Sequence, residues 1–311
     1  MTRVAFLGTP AFAVPSLEAL IELRQQGAIE LVAVVTQPDR PGHRRRIQSP
    51  PVKEVAAAAG VELFQPERLG GEALEAILAV RPDALVWAAY GNLVPRRLLE
   101  AVRGRALNVH PSLLPRWRGA EPVAHAILAG DAETGVSLME GTAALDAGGV
   151  VAQERVAIGP DETAGELELR LALLGARLLE RELPRYLAGG IAVTPQDEAL
   201  VTWAPKLDPA QGRLDPGRPA AELARMVRAY TPDPGAFSFY KGTRLGILRA
   251  SVAGGPAAEP GTLRVEAGVP EVATRSGWLR LDEVRPAGKR AMTGADWVRG
   301  LRDLANARLP S

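Results

Sequence analysis

Apolar residues come in short blocks through the first half of the chain, separated by polar, Gly- and Pro-rich stretches. Val4–Gly8, Ile29–Thr36, Ala84–Tyr90 and Ala106–His110 are nearly continuous apolar runs. Runs of that kind are what strands buried on both faces of a parallel sheet show. Between them, Ala11–Gln25, Pro51–Ala59 and Gly71–Val80 read as helices, and Pro51 sits where a first helical turn tolerates Pro. The strand-like Gly135–Glu140 and a long helical stretch of Leu, Ala, Arg and Glu, Glu162–Ala188, follow. Strands alternating with helices predict an α/β class, a doubly wound and mostly parallel sheet. Ligands of such sheets bind beyond the carboxyl ends of the strands, and His110 falls at one of those ends.

The pattern then changes. Residues 189–220 are rich in Pro, Gly and Asp, which suits a linker. After a helix over Pro219–Tyr230, short strand-like runs follow at Ala236–Tyr240, Leu245–Val252, Gly261–Val265, Glu271–Thr274 and Trp278–Leu281. Gly and Pro punctuate them, as in a small β-barrel of the oligonucleotide-binding (OB) type. The expected boundaries are a first domain over 1–189, a linker over 190–208 and a second domain over 209–311, with no internal repeat.

Composition narrows the chemistry. With 47% hydrophobic and 23% charged residues, the 311-residue chain reads as globular. A net charge of +1 makes any nucleic-acid contact a matter of local clustering. The absence of Cys excludes a disulfide scaffold, a thiolate-bound zinc and a thiol nucleophile. With three His and no Cys, no metal-ligand cluster is visible, so no metal is expected. The opening MTRVAFLGTPAFAV lacks a basic region followed by a long apolar one, and no apolar stretch is long enough to span a bilayer. A cytoplasmic protein without membrane contact is expected. FLGTPAF has one Gly instead of G-x-G-x-x-G, which argues against dinucleotide binding.

The stretch LNVHPSLLPRWRG, 107–119, carries the densest chemistry. Side chains alternate along a strand, so Asn108 and His110 share one face while Leu107 and Val109 share the other. Pro111 ends the ladder because it has no N–H. The loop Ser112–Pro115 offers main-chain groups and the side chains of Leu113 and Leu114 to a ligand wall. A lone His is commonly a buried structural one; here an amide on the same face and the position at the sheet's functional end favour a chemical role. Asp146, in the Gly-rich ALDAGG, could orient or charge the imidazole, although Asp there also suits a turn.

With those residues the chain resembles the methionyl-tRNA formyltransferase family of folate-dependent formyltransferases. The resemblance runs through FLGTPAFAVPSL (6–17), TQPDRP (36–41), SPPVK (49–53), FQPERL (64–69), AAYGNLVP (88–95), LNVHPSLLPRWRGAEPV (107–123), AGDAETGVSLM (129–139), ALDAGG (144–149), Thr202–Leu207 and RPAGKRAM (285–292). It departs from the family pattern at Pro111, Ala147 and Gly149. The resemblance implies a Rossmann-like formyltransferase fold with a C-terminal OB-like domain. The implied reaction is transfer of a formyl group from 10-formyltetrahydrofolate to the α-amino group of methionyl initiator tRNA, by a monomer. It also implies Asn108, His110 and Asp146 as the catalytic trio, and Ser112, Leu113, Leu114, Pro115, Trp87 and Tyr90 around the folate, with core packing the competing role for Trp87. The basic loop holding Arg40, Arg44, Arg45 and Arg46, together with Lys206, would meet the tRNA. Arg116 and Arg118 would meet either the tRNA end or the folate's glutamate tail. Lys53 and the C-terminal Arg244, Arg249, Lys289 and Arg290 are further candidates for backbone contacts. Two rival readings are a formyltransferase acting on a small amine and a non-catalytic RNA-binding protein; the basic loop argues against the first, the intact trio against the second.

Overall fold

The computed structural model describes residues 1–41, 47–301 and 308–309. Its strands in the first part are β1 (Thr2–Gly8), β2 (Ile29–Val35), β3 (Arg40–Pro41), β4 (Ile47–Gln48), β5 (Leu63–Phe64), β6 (Ala84–Ala88), β7 (Ala106–His110), β8 (Arg118–Gly119), β9 (Glu133–Glu140), β10 (Val150–Ala157) and β11 (Trp203–Ala204). Helices α1 (Val14–Gln25), α2 (Pro51–Ala58), α3 (Gly71–Ala79), α4 (Arg96–Ala101), α5 (Pro122–Ala129) and α6 (Ala164–Leu187) intervene. The later elements are α7 (Ala220–Tyr230), β12 (Ala236–Tyr240), β13 (Thr243–Ala253), β14 (Leu263–Glu266), β15 (Val269–Ala273), β16 (Trp278–Pro286), β17 (Met292–Thr293) and α8 (Gly294–Arg299). By compactness the chain divides into two units. One comprises Met1–Pro122, Thr134–Val156 and Glu168–Ala204; the other comprises Val123–Glu133, Ala157–Leu167 and the chain from Pro205.

In the first unit seven strands form one sheet in the order β10-β9-β7-β6-β1-β2-β5. Pairing is parallel from β5 to β7 and becomes antiparallel between β7 and β9. This is the α/β sheet expected from the alternating pattern. Gly8, at the end of β1, allows the tight exit into the next helix: a Cβ there would lie 2.7 Å from the Ala13 side chain. β1 and β7 are buried along nearly their whole length, as strands covered by helices on both sides must be. A core of Leu7, Val35, Leu85, Leu98, Val102 and Ala106 packs on one of those sides. On β7 the polar face is covered as well as the apolar one: Asn108 and His110 are buried, as Leu107 and Val109 are. β10 escapes the apolar pattern because it is an edge strand in which only Val151 is buried.

α6 fixes the attitude of β7. A Cβ on Gly175 would lie 2.6 Å from Val109 Cγ1, so the helix backbone approaches the strand through Gly175. The Val109 face is thus taken by α6, and the period-2 pleat turns Asn108 and His110 the other way.

The second unit is the antiparallel β unit expected for the C-terminal part. Its strands run β12-β13-β16-β15-β14, with β17 on β16, and α7 packs on β13. Ile247, Leu281 and Val284 are buried in it, and Arg264 lies 3.8 Å over the Trp278 ring while pairing with the buried Glu271. Among the described residues no helix is long and apolar enough to cross a membrane.

Candidate active site

Three polar side chains from two segments converge at the carboxyl end of β7. Asn108 Nδ2 donates to Asp146 Oδ1 at 3.4 Å, and His110 Nδ1 lies 3.8 Å from Asp146 Oδ2. All three are at least nine-tenths buried, with 6%, 4% and 9% of their surfaces exposed. Burying polar groups is costly unless they are bonded, and each of these has a defined partner.

The imidazole is fixed by its other nitrogen. His110 Nε2 is 2.9 Å from the Trp117 carbonyl. A carbonyl can only accept, so Nε2 carries the proton and the ring's variable position is Nδ1, the nitrogen facing Asp146. Trp117 is in the left-handed region at φ 64, which turns its carbonyl back onto the ring; its N–H donates to Thr202 Oγ1 at 2.9 Å. Sequence patterning could not reveal this contact, because it joins main chain to side chain across a loop.

Asp146 is also in the left-handed region, at φ 47. A non-Gly residue held there costs on the order of 1–3 kcal/mol and persists only where the surroundings fix it. They do so from both sides. Gly119 N–H donates to Oδ2 at 2.9 Å, and Gln196 Nε2 donates to the Asp146 carbonyl at 2.9 Å and the Gly148 carbonyl at 2.7 Å. The close seat of this loop needs Gly148, where a Cβ would lie 1.8 Å from the Glu140 carbonyl oxygen.

The loop after Pro111 is rigidly bonded. Ser137 Oγ donates to the Ser112 carbonyl at 2.6 Å and accepts from Leu114 N–H at 3.0 Å. Gln153 donates to the Leu114 carbonyl at 2.9 Å and to Ser137 Oγ at 2.8 Å. Ser112 itself is fully buried and its hydroxyl donates to the Arg116 carbonyl, so it shapes the loop from inside. Leu113 and Pro115 stay partly exposed, and Leu114 is buried. Ser137 and Gln153 are the residues sequence reasoning missed here. Their signal is a polar residue in an otherwise apolar strand, Gly135–Glu140, and one at an edge strand.

Trp87 packs with its ring against Gly141, where a Cβ would meet it at 2.1 Å, and Tyr90 is 2% exposed within the same core. Their side chains belong to the core, and what this segment presents outward is main chain: Ala89 and Gly91 both have positive φ and are exposed. Arg118 corrects another expectation. It is 3% exposed, with Nε on Gln196 Oε1 at 3.0 Å and Nη2 on Glu198 at 2.8 Å. Bonding to Arg118 holds the Glu198 carboxyl below its usual range. Arg118 is thus committed inside the fold, whereas Arg116 is exposed with its guanidinium 4.3 Å over the Trp117 ring.

Of the basic loop, Arg44, Arg45 and Arg46 lie outside the described residues. Arg40 is exposed, while Lys53 is engaged by Asp39 at 2.7 Å, a pairing that lowers the Asp39 carboxyl. Lys206 is exposed. Arg249, one of the further candidates, pairs with Glu166 and Glu283. Among the described residues no group of three or more His, Asp or Glu is placed to hold a metal ion.

The Formyl transferase family covers residues 2–183, and the Formyl transferase C-terminal domain covers 206–302. A methionyl-tRNA formyltransferase of Halorhodospira halophila is 47% identical over 303 residues, 96% of each chain. Among solved structures, HypX of Aquifex aeolicus shares the fold with a TM-score of 0.64 at 19% identity; 97% of this chain is covered but only 48% of HypX. An N-formyltransferase of Helicobacter canadensis, solved with folinic acid and dTDP-3-aminofucose, gives a TM-score of 0.70 at 16% identity over 93% of this chain and 100% of that one. With both family domains matched in order and a full-length relative at nearly half identity, the chain belongs to the methionyl-tRNA formyltransferase family.

Proposed function

We propose that this chain transfers the formyl group of 10-formyltetrahydrofolate to the α-amino group of methionyl initiator tRNA, with Asn108, His110 and Asp146 as the residues that act on the formyl carbon. The observation that carries this reading is the convergence of an amide, an imidazole and a carboxylate at the end of β7, in a chain of that family. Residues 1–189 then form the catalytic domain and 209–311 the tRNA-binding domain of a cytoplasmic monomer; of the expected linker 190–208, the part up to Ala204 belongs with the first compact unit.

The chemistry follows from the bonding already described. The neutral amine forms a C–N bond to the formyl carbon, and the carbonyl π pair moves to oxygen. Asn108 has a second N–H beyond the one aimed at Asp146, and that N–H donates to the developing oxyanion. The new ammonium gives up its proton toward Asp146, through a water, with His110 Nδ1 beside it. Charge on the imidazole is balanced by the Asp146 carboxylate. When the oxyanion collapses, the C–N bond to the folate breaks and the departing nitrogen takes that proton. In this reading the folate lies against Leu113, Leu114 and Pro115, the main chain at Trp87–Tyr90 and the loop at Asp146; the partial exposure of Leu113 and Pro115 and the exposure of Ala89 and Gly91 support it.

Formylation of charged initiator tRNA, assayed beside small-amine acceptors, tests the reading. Formyl-methionine on the tRNA alone is expected; formylation of a small amine alone, or of neither, overturns it. Arg40 and the Arg44–Arg46 run, with Lys206, are proposed to meet the tRNA phosphates. Replacing Arg44, Arg45 and Arg46 by Ala should weaken tRNA binding and lower the slope of log affinity against log salt by about 1 for each phosphate no longer neutralised. Folate affinity should not change. A slope equal to that of the parent chain places tRNA recognition on other residues.

A further inference from the structure

The segment that composition marks as a linker is built into the catalytic trio. Thr194 bridges Val150, Gln196 and Glu198 hold Arg118, Thr202 receives the Trp117 N–H, and β11 pairs in parallel with β8. These bonds converge on the segments that carry Asp146 and the partner of His110. Ala204 lies so close under Gly119 that a Cβ at Gly119 would be 2.6 Å from its carbonyl oxygen. Gly119 is the residue whose N–H holds the Asp146 carboxylate.

Gln196 is the centre of this strap. Its amide orientation is dictated by its partners: Arg118 only donates and the Asp146 and Gly148 carbonyls only accept, so Oε1 must face the guanidinium and Nε2 the carbonyls. Both amide N–H groups are therefore spent on the backbone of a loop in which Asp146 is in the left-handed region.

We infer that Gln196 is a positioning residue for Asp146, holding the carboxylate in reach of Asn108 and His110 through the backbone of its loop. The inference rests on Asp146 acting in the reaction proposed above. Arg118 serves the same end one bond further out, keeping the amide turned the right way while Glu198 neutralises it.

A double-mutant cycle tests this. Gln196→Leu removes both donors at similar size. In single-turnover formylation it should lower the rate by about 10²-fold, the effect that a small misplacement of a reacting group produces. KM for the folate should stay near that of the parent; the melting temperature falls with the lost hydrogen bonds, so the rates are compared well below it. In an Asp146→Ala background the same substitution should cost nothing further, because two residues acting through one group are non-additive. Gln196→Glu, which keeps the shape but turns an acceptor toward the carbonyls, is run through the same cycle should the Leu variant fold poorly. A normal rate in the single variant, or an undiminished loss in the Asp146→Ala background, overturns the inference. An Asp146→Ala chain as active as the parent would instead overturn the role of Asp146 itself, so the two failures are distinguishable.

Discussion

Asp146→Asn is expected to lower kcat by about 10³-fold, within the range that general acid–base groups contribute, while the fold survives. The substitution is nearly isosteric, and the remaining oxygen can still accept from Gly119 N–H, 2.9 Å away in the parent chain. Two things are lost. The new amide presents donors to Asn108 Nδ2 where a carboxylate oxygen accepted, so one member of the trio turns or loses its partner. The negative charge opposite His110 Nδ1 also disappears, so charge developing on the ring during transfer loses its counter-ion beside a side chain that is 4% exposed. The loss should fall on kcat and kcat/KM together, as for an interaction made in the transition state. A variant within about tenfold of the parent in turnover would remove proton transfer through Asp146 from the mechanism.

Asn108→Ala is expected to cost about 10²–10³ in kcat, the usual loss when one oxyanion donor is removed. Asn108 sits in mid-β7, paired in register with Trp87 and Met139, so its amide cannot be replaced by a neighbour's without breaking the sheet. Truncation leaves Asp146 Oδ1 without the Asn108 donor, which adds on the order of 1–3 kcal/mol of destabilisation for a buried acceptor. Melting temperature and kinetics must therefore be read together: a kinetic loss persisting well below the melting temperature is the signature of a missing donor. A change in KM alone would mean that Asn108 binds substrate equally in ground and transition states.

Much of this site is legible in the chain because its parts are local. Asn108 and His110 share a face by the period of a strand, and Pro111 marks where the ladder ends. Asp146 stands out in a Gly-rich turn, and α6 is visible from its length and apolar spacing. What sequence does not display is pairing at long range. The Arg118 guanidinium meets Gln196 and Glu198, 78 and 80 residues further along the chain, and that pairing turns a supposed ligand-binding side chain into an internal strut. Gln196 lies in a stretch whose Pro, Gly and Asp content says only that it is irregular. Ser137 and Gln153 carry no periodic signal beyond interrupting one. Polar and apolar residues alternate along β7, yet both faces are covered, since its polar face is occupied by the very loops that complete the site. Local pattern places the reactive groups; the hydrogen bonds that aim them come from segments whose composition looks like connection.

The central claim is that Asn108, His110 and Asp146 surround one formyl carbon. A crystal structure of the chain with a non-transferable analogue of 10-formyltetrahydrofolate measures it directly. The formyl oxygen is expected within about 3.2 Å of Asn108 Nδ2, hydrogen-bond distance, with the formyl carbon facing His110 Nδ1 and the Asp146 carboxylate. A formyl group seated elsewhere, with no polar atom of Asn108 or Asp146 in reach, would contradict the account.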